Sequence, residues 1–307
     1  MTATHLKTFD FVGKIEDISD SISMISPEET PFVSMIGNES ITQTQHKWFE
    51  DVLRAPGQNK QLQGAEFTDS TRNQPTERSN YAQILSETFK FSGTAQVVKL
   101  YGRKNAVDRE SFKTGVGLRQ DLEYSMVGNA QTAVAPLEAT EGVFASVQAQ
   151  IHADVTTDIG AVTAVDITED NIVATHEKLY NAGSDANTLM IPPRIAKVIA
   201  GFASTEGKNR ERNLGADGKS ITNVITVYES PFGNALKVKK NRWLRARDVL
   251  LIDASKWKQL TLRPFSREKL AKTGDADRWA VVGEFSLKHV NQKATGLITG
   301  ILFDTDA

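Results

Sequence analysis

Apolar residues fall at Ile15, Ile18, Ile22 and Ile25, spaced three, four and three, which is the seam of an amphipathic helix. Asp17, Ser19, Asp20, Ser21 and Ser23 stand between them and offer the backbone local alternatives to the helix, so the segment needs a partner surface to order it. The next stretch, Ile25 to Gly37, reads ISPEETPFVSMIG. Ser26, Pro27 and Glu29 make a capping box with proline where its missing N–H costs nothing. Pro31 lacks the donor that would bond back to residue 27, so the helix stops and restarts with Thr30 as a second cap. Phe32, Met35 and Ile36 share one face of the restart, and Gly37 is placed to end it in the left-handed region. The pattern predicts a bent, two-piece arm that docks on a folded surface, of its own chain or of a neighbour.

Further on, QHKWFEDVL (45–53) and YAQILSETFKF (81–91) mix aromatic and β-branched residues with polar ones and suit strands. Between them the 26 residues from Ala55 to Asn80 hold only Leu62, Phe67 and two alanines as apolar side chains. Ordering so many backbones costs far more than burying two large side chains returns. This flap has to pair as strands, lie on another surface or move freely, and long connections of that kind are functional or disordered.

Residues 103–128 predict one long helix: Val107, Leu118, Leu122 and Met126 lie on one arc, widened by Phe112, Val116 and Val127, with Glu110, Lys113, Gln120 and Asp121 opposite. Gly115 and Gly117 inside it imply close packing or a bend, and Gly128-Asn129 ends it. Thr168 and Asn171 open a second helix that Gly183 closes. TLMIPP, PRIAKVIAGF, ITNVITVYES, NALKVKK, DVLLIDAS and KWKQLTLRPF then alternate as strand, helix and four strands, an α/β unit of about residues 165–260. From Ala280 the tail has the length and alternation of one long strand able to return to the sheet of the first part.

Cysteine is absent, which removes disulfides, thiolate metal sites and cysteine nucleophiles together. The N-terminus lacks the apolar core of a signal peptide, and no apolar run approaches a membrane span. The 36 basic and 38 acidic residues leave a net charge of −2, with no global pull toward phosphate backbones. The run Lys237, Lys239, Lys240, Arg242, Arg245 and Arg247 reads as a solvated strand and turn. GADGKS (215–220) lacks the first glycine of a phosphate loop, since position 213 is Asn213. Ser266-Arg267-Glu268-Lys269 and Lys272-Thr273-Gly274 are too close in sequence to face each other as acyl-transfer motifs. His176-Glu177 has Tyr180 where a zinc helix needs its second histidine, and reads as an exposed helix pair. The other histidines read as surface or strand-pairing residues, and Asp275 and Asp277 as a turn. No catalytic, cofactor or metal site is expected.

Seven stretches in order resemble one family. They are DISDSISMISPEETPFVSMIG, HKWFEDVLRAPGQN with ERSNYAQIL, SGTAQVV, TLMIPP, VYESPFG, LRPFSREKLAKTGDADRW and GEFSLKHVNQKATG. Together they are similar to the major capsid proteins of tailed bacteriophages, whose fold is shared with the herpesvirus capsid floor. The resemblance implies an α+β fold with an N-terminal arm (1–40), an extended hairpin loop (41–97), a peripheral domain (98–164) with a spine helix at 103–128, an axial domain (165–260) and a return to the peripheral domain (261–307). It implies a shell subunit, forming pentamers and hexamers of an icosahedral or prolate capsid around double-stranded DNA, with Ile18, Ile22, Phe32, Arg54, Leu62, Phe67, Arg72 and Arg78 as intersubunit contacts. Its partners would be many copies of itself, a portal, a separate scaffolding protein and a decoration protein, with packaged DNA nearby and no membrane. Lys60 is a conceivable donor for the lysine-to-asparagine cross-link that some relatives form. The rival on the same fold is the shell of a bacterial protein compartment.

Overall fold

The computed structural model describes residues 29–66, 69, 72–98, 106–160, 166–202, 227–232, 235–272 and 274–302. One sheet has four strands, in the order β1 (Gly37–Ser40), β10 (Trp257–Lys269), β11 (Ala276–His289) and β4 (Gln83–Ser92). β1 runs parallel to β10, and the β10–β11 hairpin and the β11–β4 pair are antiparallel. After β4 come a single helical turn, α1 (Gly93–Val97), capped by the Ser92 hydroxyl, and the 22-residue helix α2 (Ala106–Val127), which packs on β4 and β11.

The second sheet has six strands, in the order β5 (Thr156–Asp158), β12 (Gly296–Thr299), β9 (Val249–Ile252), β6 (Thr188–Ile191), β8 (Ala235–Lys240) and β7 (Val227–Glu229). All four residues of β9 are fully buried because the strand faces two cores. Val249 and Leu251 join the cluster under helices α4 (Glu169–Asn181) and α5 (Ala196–Gly201), while Leu250 and Ile252 point the other way, to the cluster around α2 and Trp257. Met190 of β6 and Leu297 of β12 do the same on their strands. Period-two alternation therefore makes this sheet a shared wall between the cores. The short helix α3 (Val147–Gln150) lies against α2 and β11.

Most periodic segments are where the pattern puts them. Leu118, Leu122, Met126 and Val127 of α2 are buried, and Gly128 ends the helix with its N–H on the Tyr124 carbonyl. The Thr168 hydroxyl caps α4 by accepting the Asn171 N–H, and Gly183 closes it at φ +78°. Several expectations are corrected. Phe112 is exposed, and neither Gly115 nor Gly117 has a neighbour that a methyl group would crowd. The tail is two strands: β11 returns to the first sheet, then the chain turns at Asn291 and β12 enters the second, because Leu297 and Ile298 fill opposite cores. β10 likewise leaves the α/β unit for the first sheet.

The restart at Thr30 is a turn rather than a helix, with the Ser34 N–H on the Thr30 carbonyl and the Ile36 N–H on the Phe32 carbonyl. Gly37 does not adopt the left-handed region; it opens β1, since residues 37–40 gain ladder bonds to β10. The proposed first piece of the arm, with Ile18 and Ile22, lies outside the described residues.

Candidate assembly surfaces

β2 (Gln45–Glu50) and β3 (Thr76–Tyr81) form a separate two-stranded ribbon, with Trp48 opposite Arg78 and Phe49 opposite Glu77. From residue 51 to 66 the chain has no strand or helix, and Leu53 and Leu62 are 93% and 85% exposed. Two large apolar side chains are thus held in water, consistent with a segment too poor in apolar residues to cover itself.

The root of the ribbon is fixed by one buried polar side chain. Asn80 Nδ2 donates to the carbonyls of Ala145 (3.3 Å) and Leu287 (2.6 Å), and Oδ1 accepts the Ala145 N–H at 2.8 Å. Those are the two faces of a peptide unit copied by a carboxamide, which ties β3 to both α3's approach and β11. Outside this anchor, Lys47 pairs with Glu77 at 2.7 Å and His46 stacks on Trp48. His46 is held below its ordinary pKa, mostly by burial and then by the Lys288 ammonium.

A second anchor holds the first described residues. Glu123, wholly buried on α2, accepts the N–H groups of Phe32 and Val33, both at 2.8 Å, and of Asn241 Nδ2 at 2.6 Å. The carboxylate, not Thr30, caps the 31–36 turn. Phe32 is consequently 0% exposed, edge-on to Trp257 at 5.8 Å. Its role as an intersubunit contact is corrected: the ring is spent on its own chain's core. Trp243 Nε1 adds a bond to the Glu29 carbonyl. Glu123→Ala is expected to lower the unfolding free energy by about 3 kcal/mol, because two buried donors and one part-buried donor lose their acceptor, and Glu123→Gln by less. Denaturant unfolding checks both. Burial pushes the Glu123 pKa up against the pull of those donors. A raised folded-state pKa makes this group's stabilising contribution greatest below the unfolded carboxylate pKa and lost as pH rises through the raised value.

His176 is the other correction. It is buried at 0% exposure, its Nδ1 is 2.7 Å from Ser230 Oγ, and its ring lies against Phe232. Ile172, Thr175, His176 and Leu179 form the buried face of α4, which excludes the exposed pair that the sequence suggested. His289 pairs in register with Trp257 and stacks on it at 3.9 Å. Burial drives its pKa down to about 3. Residues 237, 240, 242, 245 and 247 are exposed along β8 and the following turn, as a solvated run would be. Asp277 is paired with Lys269 at 3.2 Å. Among the described residues there is no cluster able to hold a metal ion and no helix long and apolar enough to cross a membrane.

Arg54, Leu62, Arg72 and Arg78 all belong to the ribbon and its extension. Arg54 and Arg72 are exposed, while Arg78 is half-buried with Nε 3.5 Å from Glu50 Oε2. Phe67 lies outside the described residues. Sequence reasoning missed Asn80, for which no local signal exists, and Glu123. The latter had one: position 123 is seven after Val116 and four before Val127, both on the apolar arc.

A long helix crossing one sheet, a second sheet walled between two cores and an extended ribbon make up the fold of tailed-phage major capsid proteins. The chain matches one from a structure titled as the capsid of a native GTA particle with TM-score 0.67 at 10% identity, covering 96% of this chain and 98% of that one. It matches a Microbacterium phage Oxtober96 chain at 0.64 and 13% identity (93% and 96% covered), and one from Gordonia phage Cozz at 0.62 and 12% (97% and 96%). The model of the SU10 major capsid protein family matches residues 2–302, and the chain belongs to that family. The major capsid protein of Escherichia phage Phieco32 is 30% identical over 340 residues, covering 96% of each chain. The chain is a virion structural protein; its family and relatives do not favour the compartment-shell alternative.

Proposed function

We propose that copies of the chain form pentamers and hexamers that close into an icosahedral or prolate shell around packaged double-stranded DNA. In this reading residues 1–40 act as the arm, 41–97 as the hairpin loop, 98–164 with 261–307 as the peripheral domain and 165–260 as the axial domain. Assembly takes place in the host cytoplasm with a portal and a scaffolding protein, and a decoration protein binds the finished shell. Ring closure follows from heterologous contacts repeated around an axis. Arg54, Leu62, Arg72 and Arg78 contact the neighbouring subunit over which the ribbon extends.

The observation that carries the reading is the excursion beyond β2, whose Leu53 and Leu62 lie bare on a chain that otherwise buries two complete cores. A neighbour's surface is what would cover them, and obligate interfaces of this type bury well over about 2,000 Å². Negative-stain microscopy of the concentrated, purified chain tests it. Polyhedral particles or their pentamer and hexamer fragments are expected; a monodisperse monomer at high concentration, with and without a scaffolding partner, would refute it.

A further inference from the structure

The ribbon is a sheet of its own, and its two strands are fastened to the rest of the subunit by different chemistry. Residues opposite each other in an antiparallel pair point to one side, so His46, Trp48, Arg78 and Asn80 turn toward the body of the subunit, and Lys47, Phe49, Glu77 and Ser79 turn away. β3 is seated by Asn80, whose carboxamide does not titrate. β2 is seated by groups that do. His46 Nε2 lies 3.4 Å from the Lys288 ammonium of β11, and Glu50 Oε1 accepts the Gln292 N–H at 3.3 Å. Glu39 of β1 completes the His46 contact: its Oε1 is 3.3 Å from Lys288 Nζ and 3.9 Å from His46 Nε2, and its Oε2 accepts from Lys258 of β10 at 3.0 Å. Further along the same face, Arg78 and Glu50 pair with each other at 3.5 Å, and burial keeps His289 neutral.

An ammonium only donates, so the His46 nitrogen that faces Lys288 is the unprotonated one, and the neutral ring carries its hydrogen on Nδ1. A second proton has to enter at Nε2. It takes the lone pair that Lys288 uses and sets two cations 3.4 Å apart, beside one carboxylate that two lysines already share. Lys258, with Lys288 behind it, holds the Glu39 carboxyl below its ordinary range, so Glu39 stays ionised while the histidine titrates. We propose that His46 is an acid-sensitive latch: protonation at Nε2 ends its contact with Lys288 and frees β2 from the first sheet, while Asn80 keeps β3 in place. A two-stranded ribbon is marginal by itself, so β2 then opens along its length. Burial, and then the Lys288 charge, favour the neutral ring against the pull of Glu39. With the folded pKa below the unfolded one, the latch is complete above about pH 6.5 and is lost as pH falls through the folded value. The device belongs to the single subunit and does not depend on the shell reading.

Ring NMR and amide exchange on the full, unassembled chain test the latch. The His46 ring, assigned from the signal missing in His46→Gln, is expected to titrate below about 6.5, and its midpoint to rise in Lys288→Gln, which removes the facing charge. Amides of residues 45–50, corrected for the intrinsic pH dependence of exchange, are expected to exchange about tenfold faster at the acid end of that titration than at pH ~7.5, relative to the amides of α2. His46→Gln keeps a neutral acceptor for Lys288, and in it the acceleration is expected to disappear. The same acid acceleration in His46→Gln as in the wild-type chain would overturn the proposal, as would unchanged protection of residues 45–50 across the His46 titration. A loss shared equally by α2 would overturn it too, since the whole subunit would then be opening. Lys288→Gln supplies an independent check: a His46 midpoint that stays put or falls in this variant means that the ammonium does not oppose the second proton, and the latch fails.

Discussion

Replacing residues 51–75 with a two-residue turn is expected to give a folded, soluble chain that makes no closed particles. The cut removes the exposed excursion and keeps β2 and β3, which stay in register from Gln45↔Tyr81 to Glu50↔Thr76. Neither core uses a described residue of this stretch, so unfolding of the subunit should change little. The Asn80 anchor is also untouched. Shell formation is expected to have the opposite dependence, because the deleted residues carry the exposed Leu53 and Leu62 that the proposed assembly covers with a neighbour. Sedimentation velocity with electron microscopy checks the outcome, and normal-sized closed particles would remove the excursion from the assembly contacts.

The second large effect is on acid stability and centres on His289. Trp257 Nε1 donates to Thr295 Oγ1 at 2.8 Å, and Thr295 Oγ1 lies 3.3 Å from His289 Nε2. The Thr295 hydroxyl proton is then assigned to Nε2, and His289 Nδ1–H faces the Gln150 carbonyl. The neutral ring is thus bonded at both nitrogens and stacked on Trp257, with no room for a second proton. Its folded pKa of about 3 lies below an unfolded value near 6.5, so the unfolded chain binds the extra proton in that interval. The contribution is complete above about pH 6.5 and is lost as pH falls toward 3, about 4–5 kcal/mol in all. Glu123 and Asp248, whose pKa values burial raises, act with the opposite sign. Comparing the chain with His289→Gln isolates the histidine: the difference in unfolding free energy should change steadily through that window, and a constant difference from pH 7 to pH 4 would contradict the assignment.

Periodic segments were legible because burial repeats along them. α2, α4 and β9 declare themselves by apolar spacing, and the shortage of apolar residues marked the excursion beyond β2 correctly as unable to cover itself. What could not be read are contacts that join distant residues through one side chain. Nothing near Glu123 announces that Phe32 and Asn241 will share its carboxylate, and nothing near Asn80 announces Ala145 and Leu287. The resemblance places Phe32 among the contacts between subunits, and its own turn is too short to show which way the ring faces. His176 was assigned outward from a missing motif, although Ile172, Thr175 and Leu179 already placed it inward.

The Glu123 junction also bears on the order of events after synthesis. Beyond the local bonds of the turn, residues 29–40 are held by Glu123, by Trp243 and by the β10 ladder, partners that lie 90 to 221 positions further along the chain. Such distant closures come late in folding, since the intervening loops must be drawn in first. A nascent chain therefore cannot seat residues 29–40 until β10 has been made, and that delay would keep half-made molecules from associating.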